Sequence, residues 1–404
     1  MRFFNNKYAV CFSAVLLSST AQAEIKVYDL NGYSFSVDGW VILNASSTSG
    51  DADGNDAFRI TSGDSPNMFG FNVGLPDYNG TKTTARLGLR INPHSGEGNQ
   101  KNQGNVGSTA SKSLDPREIF VKFEGDYGEF VLGKQYSLFN GRPILADSSV
   151  LAGGFFAYDI ANDGGALGAG SLHSGYLYAN FNSGFRYNSP RSNPLQASIA
   201  LYDPSKIESI LPSVGSAPQA AKTTLPRVEA EIAYSGEAGD VKYTAYVDGV
   251  YQKAEGCVIS GVTCSSGDEV TAKGVSTGLS LDFGSFKFFA SAFKAEGLGS
   301  ALQLDFDSLD DTGKERDSDG FWVQATARVT PSTLLRVSYG ETTIDDTVAT
   351  LGHEAKGTVL GIYHDVNSHA TIYGEIGRSE FDRNPVFLQE TKTDYITAGV
   401  RVMF

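Results

Sequence analysis

The sequence predicts an all-β fold, a transmembrane antiparallel β-barrel of about sixteen strands. Three observations lead to this prediction: apolar and polar residues alternate along many short segments, the chain opens with an export signal, and short and long connections alternate. No later segment approaches the roughly 20 apolar residues of a transmembrane helix. A closed barrel is the other arrangement that satisfies the backbone hydrogen bonds of a chain crossing lipid.

The export signal is predicted to be a signal peptide of residues 1–23. Arg2 and Lys7 supply its positive charge, an apolar run follows, and a small-residue cleavage site ends at Ala23. Cleavage there leaves residues 24–404 as the mature chain. Since this part has no composition break, we expect a single barrel domain.

The C-terminal segment has the clearest alternation. Ile396, Val400 and Phe404 belong to an apolar face, whereas Thr397 and Arg401 belong to the opposite face. One face suits lipid and the other suits water, as in a strand of a membrane barrel. A half-buried strand of a soluble β-sandwich is the alternative for this segment taken alone.

Turn signals divide the mature chain into alternating segments. Their even number brings both ends of the mature chain to the same rim, as closure of an antiparallel barrel requires. The predicted strands are 34–44, 67–75, 83–92, 116–124, 129–136, 178–189, 195–203, 226–235, 240–251, 270–283, 285–296, 320–330, 333–342, 355–366, 369–380 and 392–404.

Connections of two kinds alternate along the chain. Short ones carry turn residues, as at Gly125–Gly128 and Gly284–Ser285, whereas long polar ones occupy residues 93–115, 203–225 and 297–319. One rim of the barrel is therefore expected to carry short turns and the other to carry long loops. In outer-membrane barrels these are the periplasmic and the extracellular rim.

Charges occupy the faces opposite the apolar ones. Ile119 and Val121 alternate with Glu118 and Lys122, which a water-filled lumen solvates and a packed core would not. The whole chain is acidic, with 32 Lys and Arg against 46 Asp and Glu and a net charge of -14. This balance argues against nucleic acid as a partner, because nucleic-acid binding requires a basic face.

Several short motifs occur in a specific order along residues 24–404. They are Val37-Asp38-Gly39-Trp40, Met68-Phe69-Gly70-Phe71, Phe123-Glu124-Gly125-Asp126-Tyr127-Gly128, Leu132-Gly133-Lys134-Gln135-Tyr136, Phe185-Arg186-Tyr187-Asn188-Ser189-Pro190 and the terminal Phe404. Each motif alone is weak, but together they resemble the Gram-negative general porins. The resemblance implies a homotrimer of sixteen-stranded barrels in the lipid of the cell outer membrane.

The resemblance also implies that the third loop folds inward and narrows the pore. Here that loop would span residues 137–177, and its glycines permit a tight backbone path. Its acids Asp147, Asp159 and Asp163 would line the constriction. In the family a cluster of basic side chains faces such acids across the pore.

The best matches to that basic cluster are Lys134 and Arg186, and Arg86 and Arg90 are expected to join them from a neighbouring strand. Lys134 has the phase of its apolar neighbour Leu132, so it reaches the lumen only if a β-bulge shifts the register. The other three are expected on the pore wall without such a shift.

Trp40 and Met68 stand where the family often has basic residues, so we expect a less basic wall and a cation-preferring pore. Opposed charges across a narrow aqueous gap favour small polar solutes, which predicts passive diffusion of small hydrophilic solutes and ions.

A substrate-selective channel, for example for sugars, is the alternative, and a barrel enzyme or adhesin is a further one. The candidate aromatic track for sugars is Trp40, Tyr136, Phe155, Phe156 and Tyr158.

Cys257 and Cys264 lie in one predicted extracellular loop of an exported chain, so we expect a disulfide between them. The histidines have no neighbourhood that indicates catalysis, and we expect neither a metal nor a cofactor. The family resemblance implies a role for the terminal Phe404, because the barrel insertion machinery recognises a terminal aromatic strand.

Overall fold

Sixteen antiparallel strands pair edge to edge in the computed structural model, and the first pairs with the last, which closes the barrel. The predicted fold class is confirmed. The strands are β1 Tyr33–Gly50, β2 Asn67–Tyr78, β3 Thr81–Ile91, β4 Asp115–Gly125, β5 Gly128–Tyr136, β6 Phe181–Asn188, β7 Leu195–Tyr202, β8 Arg227–Ala238, β9 Val241–Ile259, β10 Glu269–Asp282, β11 Phe286–Glu296, β12 Asp317–Thr330, β13 Thr333–Ile344, β14 His353–Asp365, β15 Ala370–Phe381 and β16 Thr391–Met403.

The predicted signal peptide, residues 1–23, lies outside the part of the chain that the structure describes. The described residues are 24–51, 56–62, 67–91, 114–156, 166–167, 170–209, 218–259, 261–264, 269–304, 307–383 and 389–404.

The predicted alternation determines which way each side chain points. On β16, Ile396 is 58% exposed on the outer surface, whereas its neighbours Tyr395 and Thr397 are buried inside. The last strand closes on the first through Phe404, whose N–H donates to the carbonyl of Gly39 at 3.0 Å. The Phe404 ring lies 5.4 Å from the ring of Phe69 on β2.

The two rims differ as the loop lengths predict. At the rim that we call the short-turn end, Asn79 and Gly80 join β2 to β3 with positive φ angles of 52° and 78°. This mirror-image turn matches the twist of two antiparallel strands. The opposite rim, the long-loop end, carries the long connections.

Several shorter strands were not predicted. Gln219–Lys222 pairs with the upper part of β9 and lets that strand run to Ile259, eight residues past its predicted end at 251. Such ladders form because loops fold back on the barrel, which the local pattern of a loop does not reveal. The other short strands are Glu24–Leu30, Ala57–Thr61, Phe155–Phe156, Ala166–Leu167, Ile207–Glu208 and Val262–Thr263.

Loops at the long-loop end pack around an apolar core that contains the predicted disulfide. Cys257 and Cys264 are bonded, and both are buried with Ile207, Leu298 and other apolar side chains. Gly313 packs directly on the bridge, since a Cβ there would lie 2.5 Å from both sulfur atoms. Among the described residues, no helix has the length and the apolar character needed to cross a membrane.

Candidate permeation pathway

The third loop leaves β5 after Tyr136 and turns into the barrel before β6 begins. Its first turn is held by β8, because the backbone N–H groups of Leu138 and Phe139 both donate to the Glu229 carboxylate, at 2.8 and 2.9 Å. A short helix, α1 (Gly141–Ala146), follows and buries Ile144 against the inner wall. The loop therefore folds inward, as predicted.

Asp147, the residue after α1, anchors the loop to the wall. Its carboxylate accepts hydrogen bonds from Arg336 Nη2 on β13 at 2.8 Å, from Tyr176 Oη at 2.7 Å and from the Ser171 N–H at 2.7 Å. Asp147 and Arg336 are both 0% exposed. The structure thus corrects our expectation for this residue, since a buried and neutralised carboxylate presents no free charge to the lumen.

A second set of bonds holds the part of the loop that follows. The Glu375 carboxylate on β15 accepts from the Gly154 N–H at 2.7 Å and from Ser149 Oγ at 2.8 Å. On β1, Asn44 Nδ2 donates to the Ala152 carbonyl at 2.9 Å. The loop is therefore attached to several strands on one side of the barrel.

We call this side the loop-covered wall and define it by the inward side chains Trp322, Gln324, Arg336, Glu375 and Thr397. All five are buried. The inward side chains of β3 and β4 form the other side, the open wall, defined by Arg86, Arg90, Arg117, Glu118 and Lys122.

Side chains of the open wall keep contact with the lumen. Arg117 and Lys122 are 26% and 28% exposed. The loop itself adds one charged pair at the lumen: Arg142 of α1 makes two bonds of 2.7 Å to Glu231 on β8. Water and solutes therefore meet fixed charges on both sides of the pathway.

Arg86 is the centre of a charged cluster on the open wall. Its guanidinium donates to Asp38 at 2.7 and 3.0 Å, to Glu118 at 3.1 Å and to Asn72 at 2.8 Å. The cluster holds two carboxylates and one guanidinium, so its formal charge is negative.

Arg90 stacks on Trp40, with its guanidinium carbon 4.2 Å from the centroid of the indole ring. Trp40 and Met68 are directly paired in the register of β1 and β2, and both point inward. Trp40 therefore occupies the wall where a basic side chain was expected in the family, and its ring face is covered by an arginine.

Lys134 is not on the pore wall, which corrects its predicted place. Strand β5 pairs with β4 without a bulge, so Lys134 keeps the phase of the outward residue Phe130. Its Nζ donates to the Pro116 carbonyl at 3.0 Å. Arg186 on β6 does point inward, and its Nη1 donates to the Tyr136 carbonyl at 2.9 Å.

Two of the predicted constriction acids, Asp159 and Asp163, lie outside the described residues, as does Tyr158 of the candidate aromatic track. Sequence reasoning missed the main anchors, Arg336 and Glu375. Their inward phase was readable from the alternation, but nothing local to β13 or β15 indicates that a loop bonds to them. In the part of the chain that the structure describes, no three His, Cys, Asp or Glu side chains are placed to hold a metal ion.

Comparison with known proteins agrees with this architecture. The family described as Gram-negative porin matches residues 9–384. No curated protein matches the sequence. Because the family match covers nearly the whole chain, the protein belongs to the Gram-negative porin family, and the family together with the barrel indicates an outer-membrane channel.

Solved structures of porins and related channels share the fold. The anion-selective porin from Comamonas acidovorans is 16% identical, with a TM-score of 0.62 over 92% of this chain and 100% of that chain. The outer membrane channel DcaP of Acinetobacter baumannii is 15% identical, with a TM-score of 0.65 over 94% and 100%. The trimer form of OmpT from Vibrio cholerae is 14% identical, with a TM-score of 0.55 over 93% and 100%.

Proposed function

We propose that this porin is a water-filled channel through which small hydrophilic solutes and ions diffuse passively. The observation that carries the proposal is the division of the inner surface, in which the third loop covers one wall and leaves charged side chains of the other in contact with the lumen. Charges that remain solvated favour polar solutes and water over apolar molecules.

Conductance in planar bilayers tests the proposal most directly. Purified protein should produce stable channel steps whose current rises in proportion to voltage and salt concentration. Liposome swelling then separates general diffusion from substrate selection. General diffusion predicts that sugar uptake falls smoothly with solute size, whereas saturable uptake of one sugar would favour the substrate-selective alternative, and absence of conductance would exclude a channel.

We propose further that the channel prefers cations. The support is the net charge of -14 and the acids Asp159 and Asp163 of the third loop. Asp147 no longer contributes, because Arg336 neutralises it. The test is the reversal potential in a salt gradient, where a sign that indicates anion preference would refute the proposal.

Export and assembly follow as part of the same proposal: cleavage after Ala23, insertion of the barrel through recognition of Phe404, and association into a homotrimer. The trimer form known for the OmpT structure of Vibrio cholerae supports the last step. N-terminal sequencing of the mature protein should begin at Glu24, deletion of Phe404 should lower outer-membrane levels, and light scattering in detergent should give three times the chain mass.

A further inference from the structure

Two histidines meet where the third loop touches the wall at the long-loop end. His173 lies in the returning arm of the loop and His353 is the first residue of β14, and their Nε2 atoms are 3.2 Å apart. Both are nearly fully buried, at 1% and 4% exposure. The ring of Phe381 packs against His173 at a centroid distance of 5.1 Å.

Asp307, Arg316 and Asp382 act on His353 by charge. Asp307, from the connection between β11 and β12, has an oxygen 3.8 Å from His353 Nε2 and is itself paired with Arg316 at 3.1 Å. Asp382 lies just after β15. The charge of His353 acts on His173.

The arm that carries His173 lies flat against the barrel. The Gly175 N–H donates to Thr342 Oγ1 on β13 at 2.8 Å. A Cβ on Gly340 would lie 1.9 Å from the Ser174 carbonyl oxygen, so backbone meets backbone there with no spare room. Because the wall blocks one side, any displacement of the arm moves it towards the lumen.

Protonation changes the equilibrium between the docked arm, which lies against the wall, and the undocked arm, which has left it. Burial, followed by the charge of His353, holds the pKa of His173 well below its usual value of 6.5. An arm that leaves the wall exposes His173 to water and restores its usual affinity for a proton. The undocked arm therefore binds more protons than the docked one as the pH falls below about 6.5.

We propose that His173 and His353 form an acid-sensitive latch, which holds the arm against the wall at neutral pH and releases it into the lumen when the pair is protonated. The proposal rests on the channel function proposed above. Between pH 7.5 and pH 5, protonation of one undocked imidazole with the usual pKa of 6.5 shifts the ratio of undocked to docked arms by up to about 30-fold.

The test compares the wild-type protein with His173→Gln/His353→Gln, which keeps hydrogen-bonding capacity without a titratable ring. Bilayer recordings at pH 7.5 and pH 5 should show frequent closures of the wild type only at the lower pH, whereas the double variant should behave alike at both. Amide hydrogen exchange of residues 171–178, corrected for the intrinsic pH effect, should accelerate in the wild type at pH 5 and not in the variant.

A matched control is His364→Gln/His369→Gln. These two histidines are exposed at the short-turn end, so this variant should keep the wild-type response to pH.

Closures at pH 5 that persist in His173→Gln/His353→Gln would overturn the latch. If the double variant does not assemble, unchanged exchange of residues 171–178 in the wild type would overturn it equally. Absence of conductance at both pH values would instead refute the channel proposal, and the exchange experiment would still decide the latch.

Discussion

The open wall and the loop-covered wall both contain an arginine between carboxylates, yet the two arginines have different roles. Arg86 on β3 bonds to Asp38 and Glu118 and its side chain is 15% exposed to the lumen. Arg336 on β13 bonds to Asp147, lies beside Glu375 and is 0% exposed. Water screens the first group, whereas only protein surrounds the second.

This difference decides what each group contributes. A partly exposed ion pair leaves a field that passing ions sense. A buried ion pair adds no field in the lumen, but the loss of one partner leaves an uncompensated charge inside protein. The comparison thus separates a surface that selects solutes from a surface that positions the loop.

The largest effect is expected from Arg336→Leu. Removal of this side chain leaves the carboxylates of Asp147 and Glu375 buried without their common base, and loss of one partner of a buried ion pair costs about 3–5 kcal/mol. Denaturant or thermal unfolding should show this loss, and channel recordings should become noisy as the loop detaches. Unfolding unchanged from the wild type would contradict the buried anchor.

An intermediate effect is expected from Asp147→Asn. The amide keeps some hydrogen bonds but lacks the negative charge that is paired with Arg336. The free energy of unfolding should therefore fall by about 1–3 kcal/mol. The reversal potential in a salt gradient should change little, since Arg336 is buried away from the lumen and the Glu375 carboxylate remains beside it. The matched variant Asp159→Asn/Asp163→Asn should move the reversal potential towards anions, and the opposite pattern would show that Asp147 faces the pore.

A smaller effect is expected on the open wall. A unit charge about 4–8 Å from an ion in a water-like medium contributes roughly 0.5–1 kcal/mol, which is about a two- to sixfold change in permeability ratio. Arg86→Gln should therefore increase cation preference, and Glu118→Gln should decrease it. If neither substitution changes the ion selectivity, the permeation pathway does not pass along the open wall.

No effect on selectivity is expected from Lys134→Gln, because this side chain lies on the outer surface with Phe130. Arg186→Gln is the matched inward variant from the neighbouring strand, and it should shift the reversal potential towards cations. A shift in Lys134→Gln equal to that in Arg186→Gln would place Lys134 in the lumen.

The local alternation of apolar and polar residues was sufficient to predict the barrel and the direction of most side chains. The alternation along 392–404 predicted that Ile396 faces outward and Thr397 inward, because successive side chains of a strand point to opposite faces. The same rule explains Lys134: its phase with Leu132 already indicated the outer surface unless a bulge intervened, and β5 has none. The paired cysteines were also readable, since they lie close together in one loop.

The sequence by itself therefore determined that the chain forms a closed barrel, which residues face lipid and which face the interior, because a period of two is a property of each strand alone. Only the tertiary structure decided which interior charges meet water. Asp147 and Arg336 are 189 residues apart and become a buried pair only when the third loop lies against β13. The environment of a charge, and hence its role in permeation or in holding the loop, depends on that distant contact and not on its local pattern.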